Sequence, residues 1–214
     1  MSEVIRQVWK CDALAVLSGP TIAQEVVRGI PTAAVVASSR PGLARCVQNI
    51  FMTPTFRIYI NTDVTGVELG GSLKNVIAIA CGIADGLRFG TNTKAALVAR
   101  GLAEMARLGT AMGAKEETFM GISGLGDLVT TCFSPFSRNH FVGAEIGRGV
   151  RMKTIMGRMK MVAEGVPTAK SAWALAKKYR VDMPITNEIY HVLYNGRTAA
   201  AAVRNLMLRE KKTE

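Results

Sequence analysis

The sequence predicts a mainly α-helical protein, with an α/β layer over residues 1–62 followed by an all-α domain over residues 63–214. Three observations carry this. Short apolar runs that read as strands alternate with helical stretches only as far as Thr62. Beyond that point β signals stop and helical periods follow one another. At the junction, Leu69 to Ala84 holds Lys74 as its only formal charge and Asn75 as its only amide, the pattern of a helix buried on every side. The run falls short of the roughly 20 apolar residues that a bilayer crossing needs.

In chain order, residues 2–9 read as a helix with Ser2 as cap and Glu3 in its first turn. Residues 13–17 form a short apolar strand closed by the turn Ser18-Gly19-Pro20-Thr21. A short helix from Ile22 to Arg28, a strand over 32–37, a helix over 41–52 entered through Pro41, and an alternating strand over 56–60 complete the first part. It is too short for a doubly wound sheet and reads as the tail end of one. The helices that follow are expected at 72–87, 92–112 behind an Asn92 cap, 115–132, 138–148, 167–179 with Pro167 in its first turn, 186–195 and 198–210.

With 49% hydrophobic but only 6% aromatic residues, the core must be aliphatic. The 27 basic residues against 16 acidic give a formal charge of +11, which favours an anionic partner: a phosphorylated metabolite, nucleic acid or a membrane surface. Cys11, Cys46, Cys81 and Cys132 form no C-x-x-C pair and read as buried thiols. With no apolar signal core behind Met1, the expected compartment is the cytoplasm. The two histidines, His140 and His191, leave little for a triad or a histidine-rich metal site.

Chemistry concentrates in four places. A lysine within an apolar helix either stretches to water or sits desolvated, where the neutral amine is favoured and can act as a base. Gly70 and Gly71 before Lys74 allow a close approach and favour the second role. Downstream of Gly121-Ile122-Ser123-Gly124-Leu125-Gly126, which has the wrong order for a dinucleotide fingerprint, come Asp127, Thr130, Thr131, Ser137, Arg138 and Asn139. One acid, hydroxyls, a guanidinium and an amide suit a small phosphorylated polyol, and also an ordinary helix-capping patch. Ser18-Gly19-Pro20-Thr21 at a strand end is a second anion cradle or a plain turn, and Glu164 before Pro167 is a helix entry or a ligand group.

Taken together, LSGPTIAQEV, GVELGGSLKNVIAIACGIADGLRFG, NTKAALVARGLAEM, GLGDLVTTCFSPFSRN, MVAEGVPTA and DMPIT closely resemble the bacterial NAD(P)-dependent glycerol-3-phosphate dehydrogenases, over nearly the whole chain from Leu17 onward. The resemblance implies an all-α domain of the 6-phosphogluconate dehydrogenase C-terminal type behind the last α/β portion of a Rossmann domain. It implies interconversion of sn-glycerol 3-phosphate and dihydroxyacetone phosphate with NAD or NADP, for glycerophospholipid synthesis. By resemblance Lys74 is the general base and Asp127 orients or balances it. Gly19, Thr21, Asn75, Thr131, Ser137, Arg138 and Asn139 join them around the substrate, while Ala23, Arg138, Val162 and Glu164 line the cofactor. No metal, nucleic acid or membrane insertion is implied; a homodimer is compatible with the resemblance, and the sequence leaves the oligomeric state open. The family's glycine fingerprint and Lys-Gly pair do not occur in this sequence, and Thr91 stands where an acidic residue is expected, so an N-terminally truncated form is the expectation. The competing reading is an inactive helical dimerisation fragment or a basic nucleic-acid-binding module. Against the latter, aromatics are almost absent from the basic stretches 148–160 and 204–212.

Overall fold

The computed structural model of the protein describes residues 1–11, 13–159 and 161–211. Helix α1 (Ser2–Trp9) leads to strand β1 (Val16–Ser18), α2 (Ala23–Val27), β2 (Thr32–Ala37), α3 (Pro41–Phe51) and β3 (Phe56–Asn61). The sheet order is β1-β2-β3, with β3 parallel to β2 and β1 antiparallel to it. The two connections explain the difference. Between β2 and β3 lies the three-turn helix α3, long enough for a parallel crossover. Between β1 and β2 lies only the five-residue α2, so the chain turns back on itself.

From Val64 onward the described residues are helical and connecting: α4 (Val64–Gly86), α5 (Thr91–Ala111), α6 (Glu116–Phe119), a π turn (Ile122–Gly126), α7 (Asp127–Phe133), α8 (Arg138–Gly147), α9 (Met152–Arg158), α10 (Gly165–Tyr179), α11 (Pro184–Tyr194) and α12 (Ala199–Met207). Every residue of α4 from Asn75 to Ala84 is buried, and α5, α7, α8, α10 and α11 pack around it in one aliphatic core. Helix α8 comes closest. A Cβ at Gly82 would lie 2.1 Å from the His140 carbonyl oxygen, and one at Gly143 would lie 2.1 Å from that of Ile79. Glycine on both helices lets the two backbones touch, the small-residue packing in which van der Waals contact replaces side-chain interdigitation.

Several expected boundaries shift for local reasons. Helix α4 begins at Val64, eight residues before the expected start at residue 72, because the buried Asp63 caps it. The Asp63 carboxylate accepts from Gly66 N–H, Lys115 N–H and the Thr118 hydroxyl, each at 2.8 Å. Lys74 is therefore mid-helix, and the glycine pair lies inside the helix. Ser2 caps nothing; its N–H and hydroxyl donate to the Glu68 carboxylate at 2.8 and 2.7 Å, tying α1 to α4. Asn92 is likewise no cap, since α5 starts at Thr91 behind Gly90. The stretch expected as one helix over 115–132 is broken into α6, the π turn and α7. Helix α9 answers to no expected element, because Met152–Arg158 lacks a clear apolar period. Of the basic tail, Lys212 lies outside the described residues.

Candidate active site

A cleft of about 500 Å³ opens where the β1–α2 turn, the middle of α4, the start of α7 and the start of α8 meet. Its floor is an ion pair. The Lys74 ammonium contacts Oδ2 of Asp127, with side chains only 17% and 4% exposed. Two features aim the carboxylate. The π turn, marked by the Gly126 N–H donating to the Gly121 carbonyl at 3.2 Å, inserts an extra residue just before Asp127. The Thr131 hydroxyl, one helical turn later, donates to the Asp127 main-chain oxygen at 2.6 Å and lies 3.4 Å from Oδ1. Burial pushes the Asp127 carboxyl above the ordinary carboxylate range, against the pull of Lys74, Thr131 and the Gly19 N–H.

Gly19 reaches the site through a constraint that only glycine meets. Its φ is +144°, and a Cβ there would approach Ala34 Cα at 3.0 Å and Ile122 at 3.2 Å. The turn Ser18–Thr21 does not owe its place to the carboxyl ends of parallel strands, because β1 runs against β2. It is carried in by packing on α4 and the π turn. Gly71 admits Ser18, whose Oγ lies 2.8 Å from where a Cβ would stand. Thr21 turns its hydroxyl to the Gly19 carbonyl at 3.3 Å, and Ala23 starts α2 at the rim.

The opposite wall is the N-terminus of α8. Ser137 caps it, its Oγ accepting from the His140 N–H at 3.2 Å, so the N–H groups of Arg138 and Asn139 have no partner within the helix. Arg138 is exposed and donates one Nη1 bond, 3.0 Å, to the Val162 carbonyl. Asn139 is buried and largely committed. Its Nδ2 donates to Asn75 Oδ1 at 2.8 Å and its Oδ1 accepts from the Gly165 N–H at 2.8 Å, so α4, α8 and α10 are stitched together behind the cleft. Glu164, just before Gly165, faces the opening. Of the residues singled out from the sequence, Gly19, Thr21, Ala23, Lys74, Asn75, Asp127, Thr131, Ser137, Arg138, Asn139 and Glu164 all line this one cleft. Val162 is outside the lining and meets it through Arg138. Gln24, Ser134 and Phe136 also line it and were missed. Gln24, three residues after Thr21, was the legible one, an amide in the first turn of a helix leaving a glycine turn.

Residues 63–204 match the family model described as NAD-dependent glycerol-3-phosphate dehydrogenase C-terminus, and residues 1–44 match the corresponding N-terminus model. The chain belongs to the NAD-dependent glycerol-3-phosphate dehydrogenase family. It is 56% identical over 200 residues to the glycerol-3-phosphate dehydrogenase [NAD(P)+] of Geobacter sulfurreducens, covering 94% of this chain and 60% of that protein. A relative of the same name from a Thermoanaerobacter species is 53% identical over 214 residues, covering 100% of this chain and 64% of its own length. Among solved structures, the glycerol-3-phosphate dehydrogenase of Coxiella burnetii superimposes with a TM-score of 0.88 at 42% identity, covering 91% of this chain and 60% of that one. The chain thus spans about 60% of the length of these dehydrogenases. Together with the mainly helical architecture behind a small sheet, the matches bear out the fold expected from the sequence.

Proposed function

We propose that the chain carries the substrate-binding and acid–base portion of an NAD(P)-dependent glycerol-3-phosphate dehydrogenase, residues 1–62 being part of its nucleotide-binding domain and residues 63–214 its catalytic domain. One observation supports this most: the Lys74–Asp127 pair forms the floor of a cleft walled by a helix N-terminus that bears an exposed arginine.

The phosphate of sn-glycerol 3-phosphate sits at the start of α8. Free N–H groups and the positive end of the helix dipole favour an anion there, and Arg138 adds a planar two-bond grip. Ser137 keeps a hydroxyl proton to donate, and Thr21 and Thr131 lie within the same cleft for the polyol oxygens. With the phosphate fixed, the C2 hydroxyl lies toward Lys74. In oxidation the neutral amine accepts the hydroxyl proton while Asp127 balances the ammonium that forms; in reduction the ammonium returns it to the carbonyl oxygen. Asn75, held by Asn139, orients the substrate beside them.

The cofactor fits this residue set at one end. Arg138 presents an exposed guanidinium for a phosphate, Glu164 presents a carboxylate for ribose hydroxyls, and Ala23 and Val162 offer apolar contact beside them. When bound, NAD(P)⁺ supplies the hydride acceptor. The product, dihydroxyacetone phosphate, and the reverse reaction place the activity at the supply of glycerol 3-phosphate for glycerophospholipid synthesis.

The test is direct. Fused behind the N-terminal segment of the Geobacter sulfurreducens relative, the chain is expected to reduce NAD⁺ or NADP⁺ with sn-glycerol 3-phosphate, followed at 340 nm, and to lose turnover on Lys74→Ala. A folded fusion without turnover, or one that Lys74→Ala leaves unchanged, overturns the proposal.

A further inference from the structure

Gly70 lies one helical turn before Lys74, on the same face of α4. It is buried, and a Cβ there would stand 2.6 Å from the main-chain oxygen of Ser123 and 3.2 Å from its carbonyl carbon. Ser123 is the second residue of the π turn that delivers Asp127, and it is itself only 2% exposed. One face of α4 therefore meets one short segment twice, through bare backbone at Gly70 and through the ion pair at Lys74. Because the first contact is backbone against helix, no side-chain rotation can absorb an added methyl group; the π turn itself must move.

We infer that Gly70 is a positioning residue for the reaction proposed above, setting by its missing side chain the distance between α4 and the π turn at which Asp127 meets Lys74. The inference rests on that reading for its functional meaning, but the geometry stands without it. The π turn supplies the complementary half. Each residue of a helix turns the next by about 100°, so the extra residue of the π turn sets which way Asp127 faces. The Thr131 hydroxyl, 3.4 Å from Oδ1, then flanks the carboxylate one helical turn later.

The test needs no substrate, so its failure and the failure of the proposed reaction are separate results. The protein is labelled with ¹³C at the aspartate carboxyl carbons and the Asp127 resonance is followed against pH. Moving Asp127 away from a cation that favours its charged form raises its titration midpoint; an adjacent opposite charge is worth about 1–3 pH units. Gly70→Ala is expected to raise the midpoint by about one unit or more, whereas Ser72→Ala, on the exposed side of α4, leaves it unchanged. In a Lys74→Met background, where the cation is already gone, Gly70→Ala is expected to add nothing. An unchanged midpoint in folded Gly70→Ala, or an equal rise with and without Lys74, overturns the inference. Should Gly70→Ala fail to fold, deletion of Leu125, the exposed residue of the π turn, turns Asp127 away from the other side. The same rise is then expected, and an unchanged midpoint refutes it.

Discussion

The seam between α4 and α8 predicts a large penalty for a single methyl group. In Gly82→Ala the new Cβ would lie 2.1 Å from the His140 carbonyl oxygen and 2.9 Å from the Ala144 nitrogen, so the first contact falls about 1.3 Å inside the 3.4 Å at which ordinary contact begins. Both atoms are backbone, so relief requires the helices to separate. Separation also opens the reciprocal contacts at Gly143 and Gly147, where a Cβ would lie 2.1 and 2.5 Å from backbone oxygens of α4. Overpacking of this kind costs about 1–3 kcal/mol, and the absence of any flexible atom puts Gly82 at the upper end. Exchange of glycine for alanine inside a helix returns about 1 kcal/mol of propensity. The net loss is about 2 kcal/mol, or roughly 4–8 °C in melting temperature for a chain of this size. Gly157→Ala in α9 is the control. Nothing lies within 4 Å of its Cβ position, so only the propensity gain remains and stability should hold or rise. Calorimetric melts of the three proteins decide the matter. A Gly82→Ala protein that melts at or above the wild type refutes the backbone-contact argument.

Other expectations follow from the site and its surroundings. In the fused enzyme, Lys74→Arg should lower kcat by about 10²–10⁴-fold, the worth of a positioned acid–base group, because guanidinium stays protonated; wild-type turnover at 340 nm would remove Lys74 from the role of base. Arg138→Lys should raise the dissociation constant for glycerol 3-phosphate about ten-fold by calorimetry on the chain itself, for the loss of one charge-assisted bond of about 1.5–3 kcal/mol; an unchanged constant would leave Arg138 as a helix-start residue holding Val162. Asp85 gives a pH signature. Burial raises its carboxyl, but bonds from Lys94 at 3.2 Å and His140 at 2.8 Å outweigh this and leave it below the ordinary range. A depressed folded value means stability present above the ordinary aspartate range and lost as pH falls through the folded value. The melting-temperature gap between wild type and Asp85→Asn should therefore close on acidification, and a gap that widens would refute the assignment.

The alternation of strands and helices up to residue 61, the all-helical remainder and the buried central helix were all legible, because each rests on the period of apolar residues. What escaped has a physical pattern too. The first turns of α4 are polar, with Thr65 and Glu68, and their stability comes from the Asp63 cap and its partners some 50 residues away. The π turn arises from close backbone packing against Gly70, which no local propensity encodes. The candidate site was legible as a set of residue types, and Asn139 marks the limit. Its amide reads as a ligand group in sequence, yet both its ends are taken by Asn75 and Gly165, a pairing across 64 and 26 positions.

Helix α4 sets a condition on how the chain is made. With 23 residues and a high average hydropathy it passes for a membrane span by length and composition, yet in the folded protein 72% of its most apolar window is buried. Helix α8, which packs closest, ends at Gly147, 61 residues after α4 ends at Gly86. At the usual 5–20 residues per second of synthesis, that leaves α4 without this cover for about 3–12 s after it is made. During that interval the nascent segment offers the same surface that targeting factors and chaperones recognise. The glycines at 82, 86, 143 and 147, by allowing α8 to dock backbone to backbone, are what end the exposure.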